Sequence, residues 1–210
     1  MINIKDKLIV SIANENYKNI INFAKKYKKI ELRLKELQLS NAAIINVINI
    51  AEIVVITGIS ELSAINSFHK ICFGDNHFAK IYIDCPVGKI ENNNLIKYIT
   101  NPNIKKILSY HQCPNNEKIV NIFPYLLEKI GSNISKYDII KIAVIVENIV
   151  EEEQLFSFFT KYSSYNFILI PLGKQFRMSR IKSLKLGSKY MFCYVNNPIT
   201  NCQLHYNEYL

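Results

Sequence analysis

Glycine is scarce in this chain, which has only six Gly among 210 residues. Open parallel sheets that bind dinucleotides usually carry a glycine-rich phosphate loop after the first strand. Here the first apolar run is followed by Ala13-Asn14-Glu15-Asn16, which contains no glycine. We therefore do not expect a dinucleotide site or a P-loop.

The chain also lacks the usual signs of disulfides, metal sites, secretion signals and membrane spans. Its five cysteines form no CxxC pair and no metal-type spacing. The first residues, Met1–Lys7, contain no apolar signal core. No uncharged apolar run approaches the ~20 residues that span a bilayer. We expect reduced thiols and a soluble, cytoplasmic protein that does not contact a membrane.

Acidic residues are in the minority, with 17 Asp and Glu against 26 Lys and Arg, for a formal charge of +9. The lysines are scattered, apart from small clusters at 25–29 and 105–106. No long basic run and no RNA-binding motif is present. We interpret most lysines as solvated helix faces and expect no nucleic-acid partner. The positive balance also suits a small anionic substrate.

Short apolar runs alternate with longer amphipathic stretches along the whole chain. The predicted strands are Leu8–Ala13, Lys29–Leu34, Ile53–Thr57, Ala79–Asp84, Lys106–His111, Ile139–Val146, Phe167–Leu172 and Tyr190–Val195. Helical spacing occurs between strands, for example at Ile119–Leu127 and Glu151–Phe159. This alternation predicts right-handed βαβ units and a parallel sheet.

Eight such units predict an α/β protein with a single (β/α)8 TIM barrel over residues 1–210. The chain is short for this fold, for which about 250 residues are typical. We therefore expect short loops. Because only seven residues follow Gln203, we also expect a truncated last helix.

Two polar residues share one face of the second predicted strand. Glu31 and Arg33 alternate with apolar neighbours in Ile30–Leu34, so their side chains point the same way. They could form an ion pair on an exposed strand. In a barrel covered by helices they would instead lie inside, where buried charges need partners.

One lysine interrupts the apolar sixth strand. Lys141 is flanked by Ile139-Ile140 and Ile142–Val146. A lone ammonium there would lose hydration, so its pKa should fall and the amine should become a nucleophile toward carbonyls. The alternative is that the side chain extends to solvent at a strand end.

Two further candidates lie at the carboxyl ends of strands, where barrel enzymes place their catalytic groups. His111 ends the fifth strand and could transfer protons. A lone His is more often structural, but the neighbouring strand carries Lys141. Arg177 and Arg180 follow the seventh strand and could bind a carboxylate. Taken alone, that segment is better interpreted as a solvated basic loop.

Together these segments resemble the type I 3-dehydroquinate dehydratase family of the shikimate pathway. The resemblance spans almost the whole chain and is most specific in two of its stretches. Those stretches are Ser109-Tyr110-His111 and Asp138-x-x-Lys141-x-Ala143; the others are Glu31–Leu34, Ser179-Arg180 with Gly187-Ser188, and Gln203.

The resemblance implies a hydro-lyase that converts 3-dehydroquinate to 3-dehydroshikimate and water. Lys141 would form an imine with the substrate ketone, and His111 would transfer protons. Glu31 and Arg33 would bind ring hydroxyls, Arg180 the carboxylate, and Gln203 would help to close the pocket. The resemblance also implies a cytoplasmic homodimer that needs no metal or organic cofactor.

The chain departs from the family pattern at three places. Ile59 replaces the Arg of the Thr-x-Arg motif after the third strand, and Pro86 replaces the Glu of Asp-x-Glu after the fourth. Ile199 replaces a Ser, although Thr200 is adjacent. We expect Asp84, which points inward, to orient His111 in part.

Four alternatives to an active dehydratase remain. The chain could be a diverged or catalytically impaired relative, or another class I Schiff-base enzyme such as an aldolase. It could also be a non-catalytic barrel, in which case Lys141 would have an ordinary pKa. A nucleic-acid binder would show a steeply salt-dependent affinity, which we do not expect.

Overall fold

The computed structural model describes residues 3–58, 79–86, 104–112 and 138–210, which contain eight strands and four α-helices. The strands are β1 (Leu8–Ile12), β2 (Lys29–Arg33), β3 (Ile53–Thr57), β4 (Lys80–Pro86), β5 (Ile104–His111), β6 (Ile139–Ile145), β7 (Phe167–Leu172) and β8 (Met191–Cys193). The helices are α1 (Tyr17–Tyr27), α2 (Asn41–Ile50), α3 (Ile149–Lys161) and α4 (Ser179–Lys185). Two 3-10 helices, Ile4–Lys7 and Tyr206–Tyr209, lie near the ends of the chain.

The strands form one parallel sheet in the order β8-β1-β2-β3-β4-β5-β6-β7, which curves into a nearly closed barrel. This confirms the predicted (β/α)8 TIM barrel, and all eight predicted strands are present within two residues at each end. The predicted helical stretch Glu151–Phe159 lies inside α3. The stretch 119–127 lies outside the described residues. The only helix of the described residues after β8 is the 3-10 turn Tyr206–Tyr209, which agrees with the expected truncation.

Continuous apolar sequence explains why the strands lie at the centre of the molecule. All five residues of β1 and all five of β3 are buried. Strands that are covered on both faces need apolar side chains on both, and Val and Ile suit the extended backbone. Outside the sheet, α3 packs its buried Leu155, Phe156, Phe158 and Phe159 against β7.

Polar side chains begin three of the four helices. Asn16, Ser40 and Asn148 each accept a hydrogen bond from the backbone N–H three residues later. Such caps satisfy amide groups that the first helical turn leaves unpaired. Since each helix follows a strand, these helix starts lie at the carboxyl-terminal end of the barrel. Within the described part of the chain, no helix has both the length and the apolar character needed to cross a membrane.

Side chains close the barrel between β7 and β8, the neighbouring strands of the described sheet that share no backbone ladder. Ser188 Oγ accepts a hydrogen bond from Leu169 N at 3.1 Å, and it donates to Tyr190 O at 3.1 Å. Nearer the other end, the Arg180 guanidinium bridges the two strands. Its Nε donates to Pro171 O at 3.2 Å and its Nη1 to Phe192 O at 3.4 Å. Both side chains are almost fully buried. We call this region the β7–β8 seam.

Candidate active site

A cavity of about 120 Å³ opens at the carboxyl-terminal end of the barrel. Six of the site residues that the sequence predicted line it, whereas Arg177, the other candidate for a carboxylate, pairs with Glu208. The six residues are Lys141, His111, Glu31, Arg33, Arg180 and Gln203. They come from three strands, one helix and the segment after β8, so only the closed fold brings them together. Ser11 and Phe192 also line the cavity; the sequence analysis did not select either residue.

Lys141 lies in the middle of β6, and its side chain is 5% exposed. The side chain therefore does not extend to solvent, which contradicts the alternative interpretation of Lys141. Its Nζ lies 3.2 Å from Asp84 Oδ2 and 4.8 Å from the centroid of the Phe192 ring. The expectation of a lone ammonium was wrong, because a carboxylate and an aromatic face both balance the charge.

Asp84 forms an ion pair with Lys141, and its charge also affects His111. Its side chain is 7% exposed, and its second oxygen, Oδ1, has no hydrogen-bond partner. We had expected Asp84 to orient His111. In the structure it makes a hydrogen bond to Lys141, while its charge raises the pKa of His111 only as a secondary effect. The adjacent residues of β4, Ile83 and Cys85, are buried and point to the opposite face of the strand.

His111 ends β5, one pleat closer to the cavity mouth than Lys141. The ladder pairs Ser109 with Lys141 and His111 with Ala143, so His111 and Lys141 face the same interior. Part of the His111 surface remains open to solvent. Desolvation, followed by the positive charge of Lys141, nevertheless lowers the pKa of His111 to about 4. At neutral pH the imidazole is uncharged and can accept a proton.

Glu31 and Arg33 face the same cavity from β2, as the alternation predicted. Burial raises the pKa of Glu31, and the charge of Lys141 and a hydrogen bond with Ser11 partly oppose that effect. Arg33 makes its ion pair with Glu36, with Nη2 2.8 Å from Oε1, and not with Glu31. The Nε of Arg33 is buried and has no hydrogen-bond partner among the described residues. This N–H is therefore a donor available to a bound ligand.

Arg180 and Gln203 connect the cavity to the segment that covers it. Besides its two bonds across the β7–β8 seam, Arg180 donates from Nη2 to Cys202 Sγ at 3.5 Å. Gln203 accepts a hydrogen bond from Ile199 N at 2.9 Å and donates from Nε2 to Ser11 Oγ at 3.1 Å. The segment 199–203 is thus held against the barrel wall by two side chains that also line the cavity.

The described charges of the cavity favour an anionic, carbonyl-bearing ligand. Lys141, Arg33 and Arg180 are positive, whereas Glu31 and Asp84 can be negative. Among the described residues, no group of three His, Cys, Asp or Glu side chains could hold a metal ion. Pro86 ends β4 at an exposed position. The departure at Ile59 lies outside the described residues.

The model of the family "Type I 3-dehydroquinase" matches residues 71–209 of the chain. No curated protein sequence matches this chain significantly. The structure is similar to 3-dehydroquinate dehydratase from Geobacillus kaustophilus, at 12% identity and a TM-score of 0.77, with 99% of this chain and 93% of that chain covered.

Two other solved structures agree. The enzyme from Aquifex aeolicus has 17% identity and a TM-score of 0.75, with 97% of this chain and 95% of that chain covered. The type I enzyme from Clostridium difficile, solved with covalently modified comenic acid, has 19% identity and a TM-score of 0.72. The alignment covers 97% of this chain and 89% of that chain. At these identities the similarity establishes the barrel fold.

Proposed function

Because the chain belongs to the type I 3-dehydroquinase family, we propose that it dehydrates 3-dehydroquinate to 3-dehydroshikimate. The observation that carries this proposal is Lys141, an amine buried in the wall of a cavity that also holds a neutral imidazole and two arginines. A barrel interior of this kind suits imine chemistry on a small anionic ketone.

Lys141 acts first in the proposed reaction. Its ammonium gives up a proton to Asp84 Oδ2, which lies 3.2 Å from Nζ. The free amine attacks the C3 carbonyl, and Asp84 returns the proton to the resulting carbinolamine hydroxyl, which leaves as water and gives a protonated imine. This imine carries the same positive charge as the original ammonium, so Asp84 remains its counter-ion. The protonated imine withdraws electrons from the adjacent C2–H bond more strongly than the ketone does.

His111 carries the protons in the following steps. The neutral imidazole accepts the C2 proton and then donates it to the C1 hydroxyl, which leaves as water. A second water hydrolyses the imine, which releases 3-dehydroshikimate and returns the amine of Lys141. The low pKa of His111 supports the first role, because the ring is uncharged before the substrate binds. No metal or organic cofactor takes part.

The substrate is held by polar groups around the cavity. Arg180 directs three of its five N–H groups to Pro171, Phe192 and Cys202. A remaining N–H group can bind the carboxylate. Arg33 Nε and the Glu31 carboxyl can bind ring hydroxyls. Gln203 covers the carboxylate side of the cavity.

The test combines product formation with trapping. The protein is incubated with 3-dehydroquinate, and the conjugated product is followed by its ultraviolet absorbance. Borohydride is then added, and peptide mass spectrometry locates the reduced adduct. We expect product and an adduct on Lys141, and neither with Lys141→Met. Lys174→Met, which removes an exposed lysine beyond β7, is the matched control. Absence of both product and adduct in the wild type would contradict the proposal.

A second candidate is a class I Schiff-base enzyme of other specificity, such as an aldolase. The replacement of the family's Glu by Pro86 and of its Arg by Ile59 favours it. The same borohydride experiment with a set of small ketones and aldehydes distinguishes the two. An adduct on Lys141 with another carbonyl compound, but none with 3-dehydroquinate, would support this candidate.

The assembly and location of the chain are also proposals. We propose a cytoplasmic homodimer, as the family resemblance implies. Size-exclusion chromatography with light scattering measures the mass directly, and a monomer at micromolar concentration would contradict the dimer.

A further inference from the structure

The lysines that are scattered along the sequence gather at one end of the barrel. In a parallel barrel, all strands start at one end, and the helices finish at that same end. We consider the last three residues of each helix, the connection to the next strand, and the first two residues of that strand. The described lysines in these positions are Lys5, Lys7, Lys25, Lys26, Lys28, Lys29, Lys80, Lys105, Lys161, Lys185 and Lys189. We call this surface the basic end.

The basic end accounts for nearly all of the net charge of the described residues. Its eleven lysines face only three acidic residues, Asp6, Glu52 and Asp138, which leaves a charge of +8. The other described charges, nine basic and nine acidic, cancel. Eight of the eleven lysines are exposed. Asp138 pairs with one of them, Lys105, at 3.1 Å. The positive field is therefore concentrated on one face rather than spread over the molecule.

This face is separate from the candidate active site. His111 lies seven residues along β5 from Ile104, which corresponds to roughly 23 Å at the rise of a strand. The lysines of the basic end are thus too distant to bind the substrate. The Debye length at physiological ionic strength is about 8 Å, so salt screens their charge from the active site. The charge is therefore available to a different partner.

Although the sequence alone led us to expect no membrane contact, we propose that the basic end is a docking surface for an anionic lipid bilayer, to which the protein binds peripherally. Two observations favour lipid over nucleic acid. All three arginines of the chain, Arg33, Arg177 and Arg180, lie elsewhere, so this face has no guanidinium for bidentate phosphate or base contacts. In addition, Tyr165 and Leu186 are 43% and 44% exposed in the two connections that lead into β7 and β8. Tyrosine and leucine can enter the interface between lipid headgroups and acyl chains.

The test removes the same number of charges from two different places. One variant, Lys25→Gln/Lys80→Gln/Lys185→Gln, removes three exposed lysines from the basic end. The matched control, Lys18→Gln/Lys35→Gln/Lys174→Gln, removes three exposed lysines from the opposite half. Both lower the net charge by three, and thermal melting checks that both are folded. Co-sedimentation measures binding to vesicles of phosphatidylglycerol with phosphatidylcholine, and to pure phosphatidylcholine.

We expect the wild type to bind the anionic vesicles, in a salt-sensitive manner, and not the neutral ones. The basic-end variant should bind about tenfold or more weakly, since each lysine near the surface contributes substantially, and the control should change by about threefold or less. Equal loss in the two variants, or no vesicle binding by the wild type, would overturn the proposal.

A second pair of measurements separates lipid from nucleic acid. Tyr165→Ser/Leu186→Ser keeps every charge of the basic end and should still weaken vesicle binding, because lipid insertion needs the two apolar side chains. Polyuridylate RNA is the competing polyanion. If RNA binds the wild type more tightly than the vesicles do, and this variant binds vesicles normally, the surface is a nucleic-acid site and the lipid proposal is wrong.

Discussion

Replacement of Asp84 by Asn tests whether Lys141 and Asp84 act as one buried ion pair. Nζ and Oδ2 are 3.2 Å apart, and the two side chains are only 5% and 7% exposed. At this separation Coulomb's law gives about 5 kcal/mol for an effective dielectric constant of about 20. Solvent at the cavity mouth reduces that figure. Removal of one partner also leaves the other charge buried and unpaired, which costs about 3 kcal/mol or more.

Asp84→Asn and Lys141→Met should therefore each lower the free energy of unfolding by about 3 kcal/mol. For a chain of this size, this corresponds to a fall in Tm of roughly 6–12 °C. The double variant contains neither buried charge, so it should lose about 3 kcal/mol or less in total, which gives a coupling energy of about 3 kcal/mol. Urea unfolding at pH 7, followed by circular dichroism, measures all four proteins.

The control for this cycle is an exposed ion pair. Lys182 is 49% exposed and lies 3.2 Å from Glu152, so Lys182→Met should cost less than about 1 kcal/mol. If the losses of Asp84→Asn and Lys141→Met simply add in the double variant, the two side chains do not stabilise each other, and the account of the site given above is wrong.

Three further predictions concern His111, Ser11 and Arg180. The fold lowers the pKa of His111 from 6.5 to about 4, so the folded chain binds fewer protons than the unfolded chain between these values. The free energy of unfolding should therefore fall as the pH drops from 6.5 to 4. His111→Asn lacks this imidazole, so it should lose about 1 kcal/mol less than the wild type over this range, a figure reduced for the solvent exposure of His111. Urea titrations at several pH values measure the difference. Ser11→Ala removes the acceptor of the Gln203 amide and should raise KM several-fold with little change in kcat, whereas an equal fall in both kcat and kcat/KM would contradict a positioning role. In Arg180→Lys the ammonium cannot bridge both carbonyls of the seam, so the free energy of unfolding should fall by about 2 kcal/mol in thermal melts. The control Arg177→Lys should lose less than about 1 kcal/mol. Equal losses would contradict the role of Arg180 in the seam.

The fold was predictable because its signal is local and repeated. Each strand is a short apolar run rich in Val and Ile, and its alternation with helical segments leaves few topologies. Lys141 was detectable for the same reason, since a charge inside such a run has few structural explanations. Ser11 in β1 satisfies that criterion too. The sequence analysis missed it because a hydroxyl disturbs an apolar pattern less than an ammonium does.

Pairing between strands was the part that the sequence could not supply. Asp84 and Lys141 meet because β4, β5 and β6 associate in a particular register, and no local pattern encodes that register. Arg33 pairs with Glu36 rather than Glu31 because the chain turns at the end of β2. The basic end arises in the same way, since residues far apart in sequence become neighbours only when all strands start on one side.

Because of the β7–β8 seam, activity and secondary structure should be lost at different temperatures. Seven strand pairs share backbone ladders, whereas this junction has one backbone hydrogen bond, from Lys189 N to Phe167 O at 2.8 Å, and the two side chains Ser188 and Arg180. Brief separation of β8 would displace Phe192 and the segment 199–203 from the cavity while the other strands stayed paired. Heat inactivation can therefore precede loss of secondary structure, and amide hydrogen exchange should be fastest, among the barrel strands, at β8.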